Sequence, residues 1–332
     1  MSSLLPPSRR LLAFMLMLGA TGILDGQVPP LRPTVSSALP AYHPKAQVRG
    51  VLEIPGTDSL ASMGHRWNQG FKRFHPASSL VYLPRLTRDA LKEFVEGGRS
   101  LVFSAREMTP EEKQRFKGKF GYLPMRIPVC MDANVVFVNK ANPIPAITME
   151  QLDAIYGRDR KGGRKEAIRT WGDLGVAGSL AGRPITAYLR EEGSAIRGAF
   201  ASAALLGGEF RSGLVVRGDS ASLAESVQAD PAGIAFGPMA ALEPANKVLP
   251  VVPFQGSEAR LPTQDQVTTS RYPMPMLYFA YVHRPPGQPL PPLVDEFLHF
   301  LLSREGQGTV AEGGLFPGPM EFLAIALKRL DR

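Results

Sequence analysis

The sequence predicts an α/β protein of two lobes, each a mostly parallel sheet flanked by helices, with two strands crossing between the lobes. Three observations carry this reading. Short apolar runs of strand length alternate with stretches of helical period along most of the chain, the pattern of parallel sheets. Two strand candidates, near 129–139 and 274–284, are longer than the others and suit the crossovers. The chain has 332 residues, enough for two cores of ordinary size.

The elements follow in order. VRGVLEI (48–54) reads as a strand that PGTDS ends, and Leu60, Met63, Trp67, Phe71 and Phe74 then recur at helical spacing. SLVYL (79–83) and SLVFS (100–104) read as strands around LTRDALKEFVEGG (86–98), a helix stopped by glycines. ITMEQLDAIYG (147–157) is a helix with Thr148 as N-cap and Glu150 in its first turn. GRPITAYLR (182–190) is a strand, SAIRGAFASAALLG (194–207) and SLAESVQAD (222–230) are helices, and GIAFGP (233–238) is a strand. A helical stretch over 292–314 closes the chain. Lobe one then holds roughly 46–131 plus 276–332, and lobe two roughly 132–275.

The N-terminus has the layout of an export signal: Arg9 and Arg10, an apolar run from Leu11 to Ala20, then small residues at Gly22 and Gly26. The run is short for a membrane span. A signal peptide over 1–26 is expected, with an uncleaved anchor as the alternative. Residues 27–45, rich in Pro and Ser, read as a flexible lead-in.

Hydrophobic residues make up 44% and charged residues 20%, a globular balance. The net charge of +8 favours anionic partners, although many soluble proteins carry such a charge without using it. No Lys/Arg block interleaved with aromatics supports nucleic acid. The five histidines and the single Cys130 show no metal-ligand spacing, and no G-x-S-x-G elbow appears. The basic stretch Gly157 to Arg164 lacks the G-K-[ST] ending of a P-loop and reads as a surface loop. Trp67 and Trp171 read as packing residues.

Three strand-to-helix turns are candidates for anion binding, because a helix start offers unpaired N–H groups and the positive end of its dipole. The first is Thr57-Asp58-Ser59, where plain helix capping is the competing use and an inward Asp58 would repel an anion that brings no proton. The second holds Ser104 and Arg106, whose competing fate is a surface pair with Glu107 or Glu111. The third, Arg190 to Arg197, is the strongest. Gly193 permits close approach, Ser194, Ala195 and Ile196 supply helix-start donors, and Arg190 and Arg197 bracket the turn.

At these residues the sequence resembles the PstS-type phosphate-binding component of ABC phosphate importers. GTDSLASMGHRWNQGFKRFHP looks like the family's opening turn and helix, SAREMTPEE like its second turn, and YLREEGSAIRGAF like its R-x-x-x-S-G-T anion turn. IPVCMDANVVFVNKANPIPAITMEQLDAIYG, DPAGIAFGP, YPMPMLYFAYVHRPPG and FLHFLLSREGQGTVAEGGLFPGP match the remaining segments in family order. The resemblance implies a periplasmic-binding-protein type II fold and a protein that is not an enzyme. It implies capture of phosphate or a similar small oxyanion, with hand-over to the importer's permease subunits. It also implies a periplasmic or extracellular location; a monomer without cofactor is expected. Thr57, Ser59, Arg106, Arg190 and Ser194 match the family's ligand positions.

The departures are specific. Ser194-Ala195-Ile196 stands where the family has S-G-T, Ala105 precedes the second-turn arginine, and Leu83 to Thr87 replaces a turn rich in glycine and serine. The family's acid in the third strand falls near Ser100, with Asp58 as a possible substitute. Two alternatives stand beside transport: a divergent scaffold or sensor on this fold, and a secreted phosphohydrolase.

Overall fold

The computed structural model describes residues 33–331; the expected signal peptide and residues 27–32 lie outside them. Residues 33–45, expected to be a flexible lead-in, are seated on the body instead. Leu39 and Tyr42 are buried, and the Tyr42 hydroxyl donates to Glu296 Oε2 at 2.6 Å and meets His75 Nε2 at 2.6 Å. The Pro/Ser composition hid two large apolar side chains that find partners only in the folded protein.

The first wing is built from β1 (Gly50–Thr57), α1 (Ala61–Lys72), β2 (Ser78–Arg85), α2 (Thr87–Val95), β3 (Leu101–Ser104) and α3 (Pro110–Phe120). Met63, Trp67 and Phe71 recur every four residues along α1, so one stripe faces the sheet and all three are buried. Gly64 lets the Tyr82 side chain of β2 approach: a Cβ there would stand 2.2 Å from the Tyr82 Cβ and 2.7 Å from its ring. Thr109 and Glu112 form a capping box at the start of α3, and Gly121, at φ 83°, ends it.

β4 (Met125–Asn139) then crosses the molecule. Its Met125–Ala133 half pairs antiparallel with β11 (Pro275–Val282), and Asn134–Val138 pairs antiparallel with β8 (Gly233–Pro238). Between these lie β5 (Ile147–Thr148), α4 (Met149–Tyr156), β6 (Thr186–Arg190), α5 (Ala195–Ala204), β7 (Val215–Arg217) and α6 (Ser220–Ala229). β9 (Asn246–Val248), β10 (Val251–Val252) and α7 (Gln264–Thr268) follow β8. Thr148 caps α4 as the sequence predicts, in a capping box with Gln151.

The main sheet runs β2-β1-β3-β11-β4-β8-β6-β7, while β5 and β10 form a separate pair. β1 is parallel to β2 and β3, and β6 is parallel to β7 and β8. Two parallel wings therefore meet at an antiparallel centre, β11 and β4. The C-terminal stretch is not one helix: Ser303 stops α8 (Pro292–Leu302) and caps α9 (Arg304–Glu312), its hydroxyl accepting from Gly306 N. β12 (Phe316–Pro317) and α10 (Met320–Leu330) finish the chain. Among the described residues no helix is long and apolar enough to cross a membrane.

Candidate functional site

Each wing delivers one turn to the middle of the molecule. The β1–α1 turn brings Thr57, Asp58 and Ser59; the β6–α5 turn brings Arg190 to Arg197. The two meet: Arg190 Nη2 donates to Asp58 Oδ2 at 2.6 Å, across 132 positions of sequence. Arg190 is fully buried and also donates to Gly218 O and to Ser220 Oγ at the start of α6. Its Nε has no partner. A buried guanidinium requires a counter-charge and filled donors, and here Asp58 supplies the charge.

Capping does not explain the first turn. No side chain there caps the helix start; Thr57, buried, instead reaches Ser59 Oγ at 3.4 Å. Ser194 sits at the N-cap of α5 and makes no capping bond either, and its buried hydroxyl has no partner. A buried hydroxyl without a partner is costly unless something else fills it. The first-turn N–H groups of Ala195, Ile196 and Arg197 lie beyond it, with no carbonyl four residues back inside the helix. Gly193 holds φ 89°, which a side chain would strain.

A cleft of about 790 Å³ opens on this turn. Gly193, Ser194, Ala195 and Arg197 line it, facing Arg88 and Arg106. Arg197 donates to Arg190 O and lies over the Phe210 ring, so its charge is held by an aromatic face.

The second turn behaves differently. Ser104 is buried and directs its hydroxyl to Arg106 O at 2.6 Å, so it serves its own turn. Arg106 lines the cleft, but its guanidinium forms a two-pronged pair with Glu112 at 2.7 Å. The partner is neither Glu107 nor Glu111, the acids nearest to hand in the sequence, because the capping box turns Glu112 back over the turn.

Several residues reach this region unannounced. Thr87, at the first position of α2, is buried with its hydroxyl unpartnered. Its place in the turn that replaces the glycine- and serine-rich segment was the available signal. Arg88 reaches the opposite wall: a Cβ on Gly193 would stand 3.1 Å from its Nη1. Asp89 raises the Arg88 pKa first, and Glu192 and Glu191 add to it. Asp132 and Asn134 alternate along β4 and so share a face. Asn134 donates to Ile196 O at 3.0 Å, which ties the crossover to the first turn of α5. Burial pushes the Asp132 carboxyl up to about 7, against the pull of the N–H groups of Ala133, Ala240 and Met239. Tyr278, also buried, faces Ser59 and Asp132.

Residues 41–305 match the family described as a PBP superfamily domain. The phosphate-binding protein PstS of Pseudomonas aeruginosa is 32% identical over 296 residues, which covers 89% of this chain and 92% of that protein. The chain belongs to the PstS family.

Solved structures share the PstS fold. A putative phosphate ABC transporter substrate-binding protein with bound phosphate from Clostridium perfringens superposes with a TM-score of 0.67 at 22% identity, covering 81% of this chain and all (100%) of that one. An ABC-type phosphate transport receptor from Vibrio cholerae does so with 0.61 at 19% identity, covering 80% and 99%. The phosphohydrolase alternative finds no support among these PstS-like relatives. Within the PstS frame, this chain's first and third turns are joined by Asp58 and Arg190, and its second is closed on itself through Arg106 and Glu112.

Proposed function

We propose that this protein is an extracytoplasmic solute-binding protein that captures phosphate, or a similar small oxyanion, between its two wings for an ABC importer. The observation that carries this is the set of buried, unpartnered donors near the meeting of the wings: Ser194 Oγ, Thr87 Oγ1 and Arg190 Nε. Donors of this kind, beside a helix start and a buried arginine, fit an acceptor-rich anion stripped of water. On this reading lobe one comprises 46–131 with 276–332 and lobe two 132–275, and β4 passes between them. Thr57, Ser59, Arg190, Ser194 and the N–H groups of Ala195 and Ile196 hold the anion. Gly193 admits it, and Arg197 and Arg106 set the charge at the mouth. Asp58 is the group the anion must share Arg190 with, and Ser104 supports the second turn. The partners are the importer's permease subunits, the working form is a monomer in the periplasm or outside the cell, and we assign it no reaction and no cofactor.

The Asp58–Arg190 pair favours one second reading, a divergent scaffold or sensor whose cleft stays closed without a ligand. Calorimetric titration of phosphate into the dialysed protein, with sulfate as control, separates the two. Micromolar or tighter binding of phosphate alone supports the receptor. No heat and no thermal shift supports the scaffold.

A further inference from the structure

The loop that follows α4 is basic and stands beside the mouth of the cleft. It carries Arg158, Arg160, Lys161, Arg164 and Lys165 against Asp159 and Glu166. Three contacts seat it on the cleft wall formed by Gly208, Glu209 and Phe210. Gly157 bridges Phe210, Arg158 N donates to Glu209 O at 2.8 Å, and the Lys161 methylenes lie 3.6 Å from where a Gly208 Cβ would be. Arg158 is neutralised by Asp159 and Glu209. Arg160 folds back on the carbonyls of Arg158 and Lys165, which holds the loop's shape at φ 50°. Among the described residues, Arg160, Lys161, Arg164 and Lys165 form no ion pair.

We propose that this loop is an electrostatic entry ramp, whose unpaired cations draw a small multivalent anion to the cleft without touching it once bound. The proposal rests on the anion-receptor reading above. A cluster of one sign at the rim of a low-dielectric cleft raises the local concentration of its counter-ion and hence the association rate. It leaves dissociation alone, because the bound anion contacts other groups. Salt screens the effect over about 10 Å at 0.1 M.

The test attaches a fluorophore through Ser202→Cys, an exposed cleft-edge position; Cys130 is buried and stays unlabelled. Phosphate association is followed by stopped flow in this protein and in one that also carries Lys161→Gln, Arg164→Gln and Lys165→Gln. Arg160 is retained for the loop's shape. At about 0.01 M salt the triple variant should associate about three- to tenfold more slowly, with dissociation unchanged. Near 0.5 M salt the two should converge. Equal association at low salt, or a loss confined to dissociation, overturns the ramp while the receptor reading stands. If both proteins melt cooperatively yet neither responds to phosphate, the receptor reading falls and takes the ramp with it.

Discussion

Asp58 and Arg190 form an ion pair, 2.6 Å from Oδ2 to Nη2, between the turns that end β1 and β6. The guanidinium is fully buried and the carboxylate about one quarter exposed. Arg190 thus joins the two wings, and a carboxylate already occupies one of its edges.

That arrangement makes Asp58→Asn informative. It leaves Arg190 buried without its counter-charge, so the ligand-free variant should lose about 2–4 kcal/mol. An anion that restores the charge should then raise the melting temperature more than it does in the unaltered protein. Thermal melts with and without phosphate read this. Equal shifts in the two proteins would mean that Asp58 and the anion do not share Arg190.

Ser194→Ala separates binding from folding. The hydroxyl is buried and unpartnered, so its removal should leave urea stability within about 0.5 kcal/mol or improve it. Phosphate affinity should fall by about 1.5–3 kcal/mol, roughly ten- to a hundredfold. Unchanged affinity by calorimetry would remove Ser194 from the site.

Asp132 predicts a pH dependence. Its carboxyl is raised from 3.8 to about 7, so between those values the folded state keeps a proton that the unfolded chain has lost. Stability should therefore fall as pH rises through that window and level off above it, with a contribution of about 4 kcal/mol at full shift. Asp132→Asn removes the titration. Urea melts at pH 5 and pH 8 should show the variant gaining on the unaltered protein as pH rises. A constant difference would place Asp132 in a wetter setting than its burial indicates.

Gly193→Ala tests the close approach of Arg88. A side chain at φ 89° is strained, and its Cβ would stand 3.1 Å from Arg88 Nη1. A loss of about 1–2 kcal/mol in chemical denaturation is expected from the backbone strain alone. Adding Arg88→Ala should relieve only the contact, so the two changes together should cost less than the sum of each alone. Strict additivity would mean that the guanidinium moves aside freely.

Tyr42→Phe tests whether 33–45 belongs to the body. The Tyr42 hydroxyl satisfies Glu296 and His75 inside the protein, and its loss should cost about 2–4 kcal/mol. Proteolysis within 33–45 should speed up in step. A segment cut equally fast in both proteins would not be anchored by this contact.

The sequence by itself determined the alternation of strands and helices, the three strand-to-helix turns and the glycine at 193. Each of these is written in local terms: periods of 2 and 3.6, turn residues, helix-start chemistry. The elements near 60–74, 86–98 and 233–238 were legible for that reason, as was the Thr148 cap. What the residues of the turns do was decided only by tertiary structure. Ser104 turned inward on its own loop, and Arg106 took Glu112 rather than a nearer acid. Arg88, Asp132 and Asn134 carry no local mark of a site; they reach it because Arg88 of α2 lies against Gly193 and β4 packs against α5. Asp58 found Arg190 across 132 positions because two wings folded onto one antiparallel centre. Such pairings depend on which strands lie side by side, and in the sequence that choice is spread over the whole core.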